Sequence, residues 1–368
     1  LLQGGLGIKG TAILSLMGAN GVVLDNQLRL ASDYPSPDDS FPRVIGAHET
    51  LTYQITDEYS LRLPRTFGNG IQQEVEANLA TCYPLKSVKD EPLLVDQILE
   101  RLGLNHYNVD SKCLGQEFGF AREYADKYKT LVDISLAYKK EPRQAHQDLE
   151  SFLTHKDPCD QHFAQDFGLA FDLLQGPMTR VSDTPEFIKA VSDGGALPFF
   201  AAAMIQPSVL RDKLQQTKEL LGTQPWGVGL LGFLPRDIRT AQFEVIKDIK
   251  PPCVLIAGGR PDQIDEFASF GIQALIHAPT LELFQQYISE GATNLILEGR
   301  ECGGHVGPVG SLVLWEQCVE YLLNAKLPKP NHSYHIIFAG GIADPATCAS
   351  ARLLSYKAKE SGIRIGIL

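Results

Sequence analysis

Residues 253–299, CVLIAGGRPDQIDEFASFGIQALIHAPTLELFQQYISEGATNLILEG, hold three short apolar runs, CVLIAG, QALIHA and NLILEG, with longer amphipathic segments between them. Runs that are apolar throughout, rather than alternating, suit strands buried on both faces of a parallel sheet. The segment LELFQQYISEGA (281–292) has helical periodicity and closes on Gly291, a residue suited to a helix C-terminus. Strand, helix, strand is the mark of βα units.

The same alternation extends in both directions. Further strand candidates are LLQGPM (173–178), ALPFFAAAM (196–204), WGVGLLGF (226–233), HIIFAGG (335–341) and RIGIL (364–368), which brings the count to eight. Seven amphipathic segments separate them, among them TPEFIKAVSDGG (184–195), with Pro185 in its first helical turn. Eight strands and seven helices predict an α/β fold, a (β/α)8 TIM barrel whose last helix lies beyond residue 368. An open doubly wound sheet is the alternative, but no GxGxxG follows the first strand.

Upstream the chain changes character. Residues 4–28, GGLGIKGTAILSLMGANGVVLDNQL, repeat the order of parts in 340–368, GGIADPATCASARLLSYKAKESGIRIGIL: a Gly-Gly strand end, an Ala/Leu-rich helix, a glycine and an apolar strand. Residues 1–35 are therefore expected to be the tail of a preceding barrel-like unit, with two generic βαβ pieces as the alternative. Residues 36–170 read as a connector with a small helical subdomain, including PLLVDQILERLG (92–103) and QEFGFAREYADKYKTLVDISLAYKK (116–140). In the latter Phe118, Phe120, Tyr124 and Tyr128 recur near helical spacing, a pattern expected of packing against the barrel rather than ligand binding. The barrel domain is then 171–368. The chain opens on LLQGGLG without an initiator methionine and stops on the strand-like GIRIGIL, so it reads as a fragment of a longer polypeptide.

Composition narrows the function classes. With 44% apolar residues in 368, the chain can bury a substantial core. Its 33 basic and 44 acidic residues give a formal net charge of −11, and no Lys/Arg-rich stripe offers a footprint for nucleic acid. The seven cysteines (82, 113, 159, 253, 302, 318, 348) show neither CxxC nor zinc spacing, and no signal peptide opens the chain. They read as reduced thiols of a cytoplasmic protein, with no metal site. No apolar run approaches the roughly 18 residues that a membrane span needs.

Chemistry in such a barrel belongs at the C-terminal strand ends. Here those ends are rich in glycine: Gly176, Gly229, Gly258–Gly259, Gly299, Gly303, Gly304 and Gly340–Gly341. The pattern points to a large planar cofactor across the barrel mouth. In AGGIADPATC, Asp344 is placed to cap a helix that begins at Pro345, half of a phosphate cradle. His305, in RECGGHVGP (300–308), is the ionisable ring of the sixth loop and suits proton transfer. Against this stands a histidine that merely satisfies a loop carbonyl. Glu298 and Glu301 are the nearby acids, and either could hold the histidine tautomer or a ribityl or substrate hydroxyl; Glu301 could equally pair with Arg300 or with water. Cys302 has no identifiable base and reads as a packing residue.

The wording of LLQGPMTRVSDTPEFIKAVSDGGALPFFAAA, WGVGLLGF, LEGRECGGHVGP and IIFAGGIADPATCASA resembles the FMN-dependent nitronate monooxygenase (2-nitropropane dioxygenase) family, which also includes flavin enoyl-acyl-carrier-protein reductases. The resemblance covers roughly residues 172–368. QGPMTRVSD with RECGGHVGP further resembles the version found within type I polyketide and polyunsaturated-fatty-acid synthases. It implies that Gly176, Pro177 and Met178 present backbone to the flavin ring, that Gly303 and Gly304 pack on it, and that Gly340 and Gly341 bind its phosphate. Gly229 and Glu298 are implied to flank the cofactor, and His305 matches the catalytic histidine.

Two residues depart from the nitronate-oxidase pattern, which tends to have Asn where this chain has Gly229 and Gln where it has Glu298. Glu-Gly before the histidine motif is closer to the reductases. The expected function is therefore reduction of a small-molecule or carrier-bound enoyl thioester by NAD(P)H through FMN, beside other domains of a multidomain synthase. The alternatives are nitronate oxidation with O2 and a non-catalytic structural barrel.

Overall fold

The computed structural model describes residues 2–3, 7–16, 18–24, 26–28, 30–34, 50–54, 60–64, 66–67, 112–113, 120–154, 162–203, 205–304 and 306–368. The chain divides into two compact units, residues 1–11 with 18–141, and residues 12–17 with 142–368.

In the first unit Leu2–Gln3 pairs in parallel with Val22–Val23, and Thr50–Gln54 pairs antiparallel with Ser60–Pro64. The expected helix over 92–103 and the aromatic Phe118 lie outside the described residues. The single helix expected over 116–140 is two. One runs Ala121–Tyr128; the chain then turns through Lys129, at φ +68°, and a second runs Leu131–Thr154, the first unit ending within it at Glu141. Thr130 restarts the helix, its hydroxyl accepting from Asp133 N at 3.2 Å, while Asp33 accepts from Leu131 N at 2.7 Å. The aromatic residues pack on one another. Tyr124 stacks on Phe120 at 5.6 Å and meets Tyr138 edge-on at 6.0 Å, and its hydroxyl accepts from Ile8 N at 2.9 Å.

The second unit carries eight parallel strands: β1 Leu174–Gln175, β2 Leu197–Ala201, β3 Gly227–Leu231, β4 Cys253–Ala257, β5 Gln273–Ala278, β6 Asn294–Glu298, β7 His335–Ala339 and β8 Arg364–Ile367. Each pairs with the next in sequence order. A bridge between Leu173 and Ile367, with Ile367 N donating to Asp172 O at 2.9 Å, joins the first strand to the last. That closure excludes the open doubly wound sheet. The outer helices are α1 Pro185–Asp193, α2 Pro207–Leu221, α3 Arg236–Ile249, α4 Pro261–Ala268, α5 Leu281–Ser289, α6 Ser311–Asn324 and α7 Pro345–Glu360. Proline opens four of them, and Thr184, Thr280 and Asp344 accept from the backbone three residues on.

Inward-facing Phe199, Leu255, Leu275, Ile296 and Ile337 fill the barrel. Each such side chain contributes about 1.5–3 kcal/mol by leaving water. The short helix His162–Phe167 stoppers the N-terminal end: Phe163 joins this core, and its ring lies 2.9–3.0 Å from where a side chain on Gly366 would begin. His335, at the start of β7, is held there between Asn294 Oδ1 (2.9 Å) and Asp166 Oδ2 (3.0 Å). Polar bonding at this end serves the fold, and chemistry is to be sought at the opposite one. Several ladders end before the apolar runs do, so Gly176–Met178, Gly232–Phe233, Gly258, Gly299 and Gly340–Gly341 fall in the loops of the C-terminal face.

Candidate active site at the barrel mouth

Side chains alternate along a strand, so Leu275 and Ile296, both in the barrel core, fix which of their neighbours point inward. Two residues on, the same faces carry His277 on β5 and Glu298 at the end of β6. His277 Nδ1 lies 2.9 Å from Glu298 Oε2, with the two side chains only 11% and 12% exposed. The carboxylate stands at ion-pair distance without the alignment of a hydrogen bond. Both ring nitrogens are shut off from solvent and have no hydrogen-bond partner among the described residues.

The loop after β6 is drawn into a ring. Arg300 N donates to Val309 O at 2.7 Å, and the Arg300 guanidinium donates to Pro308 O. Glu301 Oε2 accepts from Ser311 N at 2.6 Å, so its carboxylate sits at the N-terminus of α6. Burial pushes the Glu301 carboxyl up, but hydrogen bonding to Ser311 and its own backbone, with the charge of Arg300, together hold the group below the ordinary range. Glu301 therefore takes its hydrogen bond from a helix end, with Arg300 adding only its charge. Gly303 and Gly304 lie exposed in this ring, with open space where side chains would be. His305, the catalytic candidate, lies outside the described residues.

Burial and the charge of Glu298 push the Cys302 thiol up to about 12. That is the wrong direction for a nucleophile. Cys302 packs against the barrel core instead.

The other strand ends interlock around this loop. Gly340 (φ +108°) and Gly341 (φ +73°) hold a backbone conformation that favours glycine, and a side chain on Gly340 would begin 2.4 Å from Ser311 Oγ and 3.0 Å from Cys302 Sγ. Three residues later Asp344 accepts from Thr347 N at 2.8 Å and starts α7, as expected from AGGIADPATC. After β1, Gly176 abuts Leu368, and Pro177 fills the space beside Gly229. Met178 O accepts from Val181 N and Ser182 N in a tight turn, leaving the Met178 side chain exposed. Val181, Phe233 and Val306 are also exposed, on the loops after β1, β3 and β6.

Of the residues picked out by sequence, the structure places Gly176, Pro177, Met178, Glu298, Gly303, Gly304, Gly340 and Gly341 at the C-terminal ends of the strands, with Gly229 inside β3 against Pro177. His277 was not among them. Its signal was present in QALIHA as the single ionisable residue of an apolar strand, but nothing local says that it faces Glu298. Among the described residues no three His, Cys, Asp or Glu side chains gather as metal ligands, and no helix is long and apolar enough to cross a membrane.

No protein-family model matches the chain. It is 25% identical over 233 residues, 53% of its length, to a nitronate monooxygenase of Paraburkholderia phytofirmans. Among solved structures it is similar to FabK from Thermotoga maritima (24% identity, 56% of this chain and 60% of that one, TM-score 0.46). It is also similar to a nitroalkane oxidase from Streptomyces ansochromogenes (20%, 56% and 66%, TM-score 0.45) and to the enoyl reductase domain of MlnA from Bacillus amyloliquefaciens (18%, 56% and 55%, TM-score 0.45). The chain spans 63% of the length of the nitronate monooxygenase, just under two thirds.

Proposed function

We propose that the barrel is an FMN-dependent oxidoreductase that reduces an enoyl thioester, with NAD(P)H as the reductant, within a polyketide or fatty-acid synthase. The observation that carries this reading is the glycine-lined mouth. Gly303 and Gly304, in the loop after the sixth strand, leave open space where side chains would be, and Gly340–Gly341 lead into a capped helix, so the residues fit a flat ring with a phosphate at one end. Bound there, FMN would supply hydride transfer between nicotinamide and substrate.

The chain's own residues have separate tasks. Gly176, Pro177 and Met178 offer backbone to the ring, Gly303 and Gly304 pack against it, and Gly340, Gly341 and the N-terminus of α7 hold the phosphate. Glu298 flanks the ring from the end of β6. His305, next to Gly304 in sequence, orients or protonates the substrate. The exposed apolar side chains of Met178, Val181, Phe233 and Val306 would flank an acyl chain, and they favour a carrier-bound acyl substrate over a small polar one.

The test is the full chain purified with FMN and assayed for crotonyl-CoA reduction by NADH and by NADPH. Flavin absorbance and turnover support the reading, while a colourless, inactive protein leaves a structural barrel. A second reading, nitronate oxidation, is supported by the similarity to the Paraburkholderia phytofirmans protein. It requires oxygen uptake with propyl-2-nitronate that is lost in His305→Ala.

A further inference from the structure

His277 presents a problem that the cofactor cradle does not solve. Native proteins almost always give a buried ring nitrogen a partner, and here both nitrogens lack one among the described residues. The Glu298 carboxylate, 2.9 Å from Nδ1, accounts for one after a small turn of the ring. Nε2 is left over. The corresponding inward positions on β2, β4 and β7 are Ala201, Ala257 and Ala339, so that layer of the barrel offers the imidazole no further polar side chain.

The pair also sits where a ligand would. His277 is the penultimate residue of β5, and Glu298 the last of β6, just before Gly299 opens the glycine-rich loop. Cys302, which lies 3.0 Å from where a side chain on Gly340 would begin, is near enough to feel the Glu298 charge. A carboxylate on Nδ1 fixes the tautomer and orientation of an imidazole.

We propose that His277 is a second protonatable catalytic residue of this mouth, held by Glu298 through Nδ1 and presenting Nε2 to the bound substrate. The assignment rests on the reading of the mouth as an enoyl reductase site. Its task is one proton. Hydride arriving at the β-carbon of an enoyl thioester leaves an enolate. The N–H bond at Nε2 of the imidazolium then breaks as a C–H bond forms at the α-carbon. The ring is left neutral, its Nδ1–H still donated to the Glu298 carboxylate, and Nε2 takes a proton back from water once product has left. Glu298 is the positioning residue and stays a carboxylate throughout.

The test uses the full chain labelled with 15N-histidine. Long-range 1H–15N spectra are recorded without ligand, with FMN, and with FMN plus crotonyl-CoA, and the His277 signals are assigned by their loss in His277→Gln. The expected result is a proton fixed on Nδ1 in the parent chain and a mixture of tautomers in Glu298→Gln. Nε2 should shift when crotonyl-CoA joins the FMN complex. His277→Gln should keep FMN but lose crotonyl-CoA reduction by about 10²–10⁴-fold, the usual contribution of a positioned proton donor. If FMN binds, the parent chain turns over, and His277 neither responds to crotonyl-CoA nor matters to the rate, the role of His277 falls while the function stands. If flavin fluorescence shows no FMN binding, the function falls and takes this assignment with it.

Discussion

Pro177 occupies the volume that a side chain at residue 229 would need: a Cβ there would lie 2.2 Å from Pro177 Cβ and 2.4 Å from its Cγ. Glycine at this point of β3 therefore lets the loop after β1 lie across the barrel mouth. An asparagine, the residue that nitronate oxidases tend to have here, has no room. Gly229→Ala should destabilise the fold by about 1–3 kcal/mol through overpacking, seen as a lower urea midpoint. Because Pro177 must move, FMN binding should weaken in the same variant.

The fold was legible because parallel strands buried on both faces read as unbroken apolar runs, and Pro185, Gly291 and Asp344 mark helix ends by local chemistry. Relations across the barrel were not. Gly229 read as a strand-end glycine facing a ligand, and only the closed sheet brings Pro177 over it. His277 read as one letter of an apolar strand, and only the inward parity of Leu275 and Ile296 turns it toward Glu298. The helix over 116–140 failed for a different reason. Its periodicity continues across Lys129, but the Thr130 hydroxyl offers a new start that competes with the old helix.

Gly303 tests whether the open space at the mouth belongs to a ligand. A side chain added there meets nothing within 4 Å, and its φ lies outside the left-handed region. Gly303→Val should therefore leave thermal stability within about 0.5 kcal/mol of the parent, as exposed substitutions do. FMN affinity should fall about tenfold or more, roughly 1.4 kcal/mol, measured by quenching of flavin fluorescence. Equal affinity in the two proteins would show that the flavin does not lie over this residue.

His335 makes stability depend on pH at the stoppered end of the barrel. Burial lowers its pKa from the ordinary 6.5, against the opposing pull of Asp166, so the folded state favours the neutral ring. The unfolded chain takes up the proton near pH 6.5, and the folded chain only at lower pH. Stability from this group is thus fully present above about pH 6.5 and declines as pH falls from there toward the folded value. Urea midpoints at about pH 8 and about pH 5.5 should differ in the parent chain. The difference should shrink in His335→Gln, which keeps a side-chain amide for Asn294 and Asp166 but cannot titrate.

Cys302 lies beside the proposed flavin site, and its reactivity separates a packing residue from a redox one. With the thiol pushed up to about 12, first by burial and then by Glu298, about one molecule in 10⁴ carries the thiolate at pH 8. Iodoacetamide should label native Cys302 orders of magnitude more slowly than the same residue in urea, with tryptic mass spectrometry as the readout. Glu298→Gln removes the nearby charge, so it should speed native labelling while burial keeps it well below the unfolded rate. Cys302→Ala should turn over crotonyl-CoA at a rate close to the parent's, because a thiol pushed up to about 12 holds its proton too tightly to serve as an acid at neutral pH. Loss of turnover in that variant, with FMN still bound, would make the sulfur part of the chemistry.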